Sequence, residues 1–139
     1  MRLKNTSKFN TALCREIIKF TRPPGISNFD IWVKHSKAGW GGRAYWAGCS
    51  LHSTRNPFVV IRVDKNIPCP VTLCSKNGYL GIRVFTPIEL LVLITAHELR
   101  HLWQKIHPKG YRVWGARGRF SERDADAYAL HKLREWCRK

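Results

Sequence analysis

Acidic residues are scarce in this chain: 9 Asp and Glu stand against 25 Lys and Arg in 139 residues, a formal charge of +16. A field of this sign attracts polyanions, of which nucleic acid is the commonest. A cationic surface that serves only solubility accounts for the same count. A cysteine framework is also missing. The five cysteines (Cys14, Cys49, Cys69, Cys74, Cys137) are odd in number and without framework spacing, so at least one thiol is unpaired, and a reducing, cytoplasmic compartment is expected. Cys69 and Cys74 bracket "CPVTLC", which suits a disulfide or half of a zinc site, but no second Cys or His pair accompanies them and plain thiols fit better. Long hydrophobic runs are absent too. "IELLVLITA" is interrupted by Glu89 and falls short of the ~20 residues that span a bilayer. The basic N-terminus lacks the apolar core and small-residue cleavage site of a secretory signal. No membrane partner is expected.

What is present suits one globular domain over residues 1–139. Six Trp, six Phe and four Tyr supply large apolar pieces for a core, and the length is ordinary for a single domain. Asn10 can cap a helix over residues 11–21, with Leu13, Ile17 and Phe20 at helical spacing and "RPPG" ending it. Next, "FDIWVKH" (29–35), "RAYWAGCSLH" (43–52, after a "GWGG" turn), "FVVIRVD" (58–64) and "YLGIRVF" (79–85) read as strands of a meander, with residues 65–77 as a loop. Thr86, Pro87 and Glu89 then write a helix start with a capping box, and that helix runs to about Ile106 before Pro108 and Gly110. Ser121 caps a terminal helix with Ala125, Ala129, Leu130, Leu133 and Trp136 available for packing. The expectation is an α+β domain: an N-terminal helix, a mostly antiparallel sheet of three or four strands, and two further helices.

Chemistry concentrates on the long helix. His97 and His101 are four residues apart and project from one face about a turn apart. Two imidazoles so placed can ligate one metal ion, and Glu98 beside the first can reach water activated there, the arrangement of H-E-x-x-H in zinc peptidases. Burying His and Glu without a partner is costly, and a metal provides one. Zinc needs a third protein ligand, for which the chain offers two candidates. His107 reproduces the span of the metzincin pattern H-E-x-x-H-x-x-G-x-x-H, but Gln104 stands where that pattern's glycine turns the chain, and the only methionine is Met1. The other candidate is Glu122, twenty-one steps after His101, with Asp126 four residues later on the same helix face.

His97-Glu98-Leu99-Arg100-His101 followed by Glu122-Arg123-Asp124-Ala125-Asp126 resembles the gluzincin zinc metallopeptidases, with H-E-x-x-H on one helix and E-x-x-x-D on a second. At this size the chain is similar to the reduced minigluzincins, and in general plan to the basic, DNA-associated SprT-like proteases, which use a downstream histidine instead. The gluzincin resemblance covers the two helices and, loosely, the sheet before them. It implies a zincin-like domain in which His97, His101 and Glu122 bind Zn2+, Glu98 is the general base, and Asp126 hydrogen-bonds the far nitrogen of His97. The expected substrate is a protein or peptide lying antiparallel along an edge strand, "FVVIRVD" or "YLGIRVF". Tyr111, Tyr128 and His131 are candidates for an oxyanion donor by chemical type alone, the latter two reading better as helix-surface or packing residues. DNA or RNA is a further expected partner through the basic surface. The competing reading from another class is a nucleic-acid-binding module with a structural zinc site, in which "YRVWGARGRF" and "GWGGRAYW" stack on bases and contact phosphates.

Overall fold

The computed structural model describes residues 1–37, 39–45, 56–73, 81–106 and 119–139. A strand precedes the expected first helix: β1, Arg2–Thr6. Only Leu3 of its five residues is apolar, so no alternation announces it. α1 follows over Thr11–Thr21, with Asn10 accepting hydrogen bonds from the backbone N–H of Ala12 at 2.8 Å and Leu13 at 3.3 Å. This helix carries the chain across to β2, Asp30–His35, which pairs with β1 in parallel.

β3 is Trp40–Tyr45 and β4 is Phe58–Val63. The four strands lie in the order β1-β2-β4-β3, with β1/β2 and β2/β4 parallel and β3/β4 antiparallel. The α+β class holds, but the mostly antiparallel meander gives way to a mixed sheet. The cause is visible in the strands themselves. β4, "FVVIRV", is buried at every position but Arg62, and a run that apolar is at home in the middle of a sheet, paired with a strand on each side. β3 carries Gly41 and Gly42, which have little to bury, and takes the edge. "GWGG" therefore lies largely inside a strand and is not a turn; residues 46–52 of the strand expected there lie outside the described residues. The expected fourth strand shortens to β6, Ile82–Val84, which pairs antiparallel with β5, Val71–Leu73, in a separate two-stranded ribbon. β5 comes from the stretch read as loop.

α2 spans Pro87–Ile106. Thr86 Oγ1 accepts from the N–H of Glu89 at 3.1 Å, and Glu89 Oε1 accepts from the N–H of Phe85 at 3.1 Å, so the capping box forms with its return arm one residue further back. This helix runs through the centre of the molecule, packed against β3, β4, α1 and a last helix, α3, Arg119–Cys137. Leu90 to Ile94, Ala96, Leu99 and Leu102 are at most 1 % exposed. A helix covered all round has no need of a polar stripe, which is why "LLVLITA" reads as a continuous apolar run. α3 starts two residues before the expected cap, leaving Ser121 in its first turn, and its Ala125, Ala129 and Leu133 are buried. One cluster of buried side chains joins both helical ends to the inner sheet residues Ile31, Val33, Val59, Ile61 and Val63. No helix among the described residues is long and apolar enough to cross a membrane.

Candidate metal centre

The helical repeat brings His97 and His101 together on α2, with their Nε2 atoms 3.0 Å apart and their rings nearly perpendicular at 82°. α3 packs alongside and adds the carboxylate of Glu122, whose Oε2 is 3.0 Å from Nε2 of His97 and whose Oε1 is 3.1 Å from Nε2 of His101. One turn later on α3, Asp126 Oδ1 lies 3.0 Å from Nδ1 of His97, with both side chains only 2 % exposed. Neither Asp126 oxygen has a well-aligned hydrogen-bond partner among the described residues, so this buried carboxylate acts on His97 through its charge and its closeness to Nδ1.

His101 is held by a longer chain of contacts. Its Nδ1 is 2.9 Å from Oε1 of Gln104. The Gln104 amide is oriented by its own Nε2, which donates to the carbonyl of Ser121 at 2.8 Å and to Asp124 Oδ2 at 2.9 Å. Arg100 grips the same Asp124 carboxylate through Nε at 2.8 Å and Nη2 at 3.1 Å, and its guanidinium lies 3.7 Å from the centroid of the Trp103 ring. Gln104 therefore presents oxygen to His101, and the proton of a neutral His101 sits on Nδ1. Asp126, 3.0 Å from Nδ1 of His97, favours the same tautomer there by its charge.

Both Nε2 atoms then carry lone pairs aimed into the space occupied by the Glu122 carboxylate. Three acceptors at 3.0–3.1 Å from one another repel unless a cation lies among them. Tetrahedral coordination at 2.0–2.1 Å sets donor atoms about 3.3 Å apart, the same scale as observed, so the residues fit a metal ion. Protons are the substitute in its absence. Burial alone would lower the pKa of His97, but Asp126, Glu122 and Glu98 outweigh it and raise it to about 9. His101 is raised in the same way, chiefly by Glu122 against the effect of burial. Burial would raise Glu122, yet the two histidines draw it down to about 2.

Glu98 is 4 % exposed, and its Oε1 is 3.9 Å from Nε2 of His97. Burial pushes its pKa up, against the lowering effect of His97 and His101. Ligand atoms of His97, Glu98 and His101 lie within 4.8 Å of one another, a group that can hold a metal ion. From the sheet side, β3 presses on Glu98 at Gly42.

The five site residues expected from the sequence, His97, Glu98, His101, Glu122 and Asp126, thus come together at the α2/α3 contact. His107 and Tyr111 lie outside the described residues, as does Cys74. Cys69 is a free thiol within 3.5 Å of the Ile67 carbonyl. Tyr128 donates to the carbonyl of Thr21 at 2.6 Å, and His131 is exposed and paired with Glu135 at 2.8 Å, so neither is an oxyanion donor here. Among the described residues, the edge strand beside the site is β3, not β4, which is interior, nor β6, which belongs to the ribbon. Sequence reasoning missed Gln104, Arg100, Asp124 and Gly42. Gln104 is three residues after His101 on a helix, a spacing that signals contact, but set against the metzincin pattern it shows only as the absence of a glycine. Comparison of the chain with protein-family models, curated proteins and solved structures returns no match.

Proposed function

We propose that this chain is a zinc metallopeptidase in which His97, His101 and Glu122 hold the metal and Glu98 is the general base. The observation that carries the reading is the convergence of two tautomer-fixed imidazole Nε2 atoms and one carboxylate at 3.0–3.1 Å, with a second, buried carboxylate 3.9 Å from the first imidazole. Two imidazole nitrogens and a carboxylate are a donor set suited to zinc, and three protein ligands are the number found in catalytic sites. Zinc supplies Lewis acidity, which polarises a carbonyl and lowers the pKa of water toward about 7.

Glu98 accepts the proton of the attacking water and returns it to the leaving amine. Asp126 and Gln104 keep the imidazole lone pairs aimed at the metal while charge changes around them. An extended peptide pairs with the outer edge of β3, where Gly41 and Gly42 present backbone without side chains to obstruct it, and Gly42 brings the scissile bond beside Glu98. The resemblance to gluzincins rests on these same side chains. The unpaired thiols of Cys14, Cys69 and Cys137 support a reducing compartment.

The test is hydrolysis of a quenched-fluorescence peptide library by zinc-loaded protein. Cleavage that a chelator stops and zinc restores is expected, with Glu98→Gln retaining zinc and losing about 10²–10⁴ in rate. One bound zinc with no hydrolysis by the wild type, or equal hydrolysis by Glu98→Gln, refutes the reading; the former outcome favours a structural metal.

A further inference from the structure

The inner face of the sheet is accounted for by the core and by Gly42 against Glu98. Its other face is rimmed by exposed cations, with Val60 and Phe58 buried between them. Strand register sets Lys4, Trp32, Val60 and Arg43 in one row across all four strands, and Thr6, Lys34, Arg62 and Gly41 in the next. Gly42, Ile61 and Val33 form the alternating row that faces α2, so these two rows point away from the metal centre. Together with Arg2, they place five cations on this face against one acid, Asp30, among the described strand residues. Lys4, Arg43 and Arg62 are exposed, and Trp32 and Lys34 are half-buried.

Trp32 is the organising side chain. Its Nε1–H donates to Thr6 Oγ1 at 2.8 Å, tying the ring across two strands in one orientation. The ammonium groups of Lys4 and Lys34 each lie 4.2 Å from the ring centroid. Such exposed cation–π contacts are weak, so a lysine can leave the ring when a better stacking partner arrives and move to an anionic group beside it. A fixed indole flanked by mobile ammonium groups is suited to a ligand that carries a flat ring and a negative charge in each repeating unit.

We propose that this outward sheet face binds single-stranded nucleic acid, with a base stacking on Trp32 and phosphates held by Lys4, Lys34, Arg62 and Arg43. Charge complementarity selects a polyanion, and the aromatic at the centre selects one with exposed rings. Four-stranded sheets with central aromatics receive about two to three bases in this way. A duplex keeps its bases stacked and offers Trp32 nothing to pair with. The inference does not depend on the metallopeptidase reading, because Trp32, Lys4, Lys34 and Arg62 lie on the face away from the metal centre; Arg43 alone, on the edge strand, also acts on Glu98.

Fluorescence anisotropy with labelled oligouridylate and oligodeoxythymidylate of about 12 nucleotides, measured across a salt series, tests it; the two probes distinguish RNA from DNA. Trp32→Ala is expected to weaken binding about tenfold without changing the salt dependence, and Trp32→Phe to retain most of it. Lys34→Glu with Arg62→Glu should weaken it about 100-fold and reduce the slope of log affinity against log salt by about two. The pair Arg15→Glu and Lys19→Glu, exposed on α1, is the control for the overall charge and should change affinity less than about threefold, as rim charges acting at a distance are screened. Equal loss from the α1 pair, or no loss from a folded Trp32→Ala, overturns the proposal in favour of a diffuse field. Binding to anionic lipid vesicles with none to either oligonucleotide overturns it as well.

Discussion

A Cβ atom added to Gly42 would lie 2.6 Å from Cγ of Glu98 and 3.0 Å from Cγ2 of Ile94. β3 thus touches the candidate base through a position that only hydrogen can occupy. Gly42→Ala should force Glu98 out of its place, since both side chains it meets are anchored on a buried helix. The expected cost in stability is about 1–3 kcal/mol, read by denaturant unfolding. Zinc binding should persist while peptide hydrolysis falls by at least the factor seen for a displaced base, about 10². Undiminished hydrolysis would show that Glu98 does not need this position.

The three convergent acceptors make the metal-free protein sensitive to pH in two directions. His97 is raised from 6.5 to about 9, so its contribution is complete below pH 6.5 and is lost as pH rises through 9. Glu122 is lowered from 4.5 to about 2, so its contribution is complete above pH 4.5 and is lost as pH falls through 2. The melting temperature in chelator should therefore be highest between pH 4.5 and 6.5 and decline on either side. Zinc must displace the histidine protons, so calorimetric titrations at pH 7 in buffers of different ionisation enthalpy should show net proton release. Titrations in which no proton is released would mean that zinc does not bind these imidazoles.

Gln104 fixes the tautomer of His101 and is itself held by Ser121 and by Asp124, which Arg100 grips. Gln104→Leu keeps the volume and removes the acceptor, and should weaken zinc affinity about 10–100-fold, as should Asp126→Asn on the other imidazole. Gln104→Glu keeps an acceptor for His101 and should recover part of the loss. If Gln104→Leu binds zinc as well as the wild type, the chain from Arg100 to His101 is structural only.

The sequence made the site more legible than the sheet. H-E-x-x-H depends on helical spacing alone, and the helix that bears it is announced by Thr86, Pro87 and Glu89, so His97, Glu98 and His101 could be placed without tertiary information. Glu122 and Asp126 are legible only through a resemblance in spacing, and the α2/α3 packing brings them to the histidines. Sheet order had no such local signal. β1 is polar because it is an edge with only its inner residues packed, and charged edges of this kind guard against unwanted pairing. The parallel pairing of β2 with β4 depends on which strand has most to bury, a comparison between segments that periodicity within any one of them does not make. Gln104 and Gly42 were hidden for the same reason: each acts on a side chain already in view, through a contact that exists only after packing.

The metal centre proposed here stands on Glu122 as third ligand, and zinc affinity measured by competition with a chromophoric chelator separates Glu122 from His107. Glu122→Ala should weaken binding about 100-fold, the share of one ligand in a protein zinc site, while His107→Ala leaves it within about threefold of the wild type, an energy difference too small for a lost ligand. The reverse order would contradict the account, because it would put His107 on the metal and leave Glu122 as an acidic residue at a helix start.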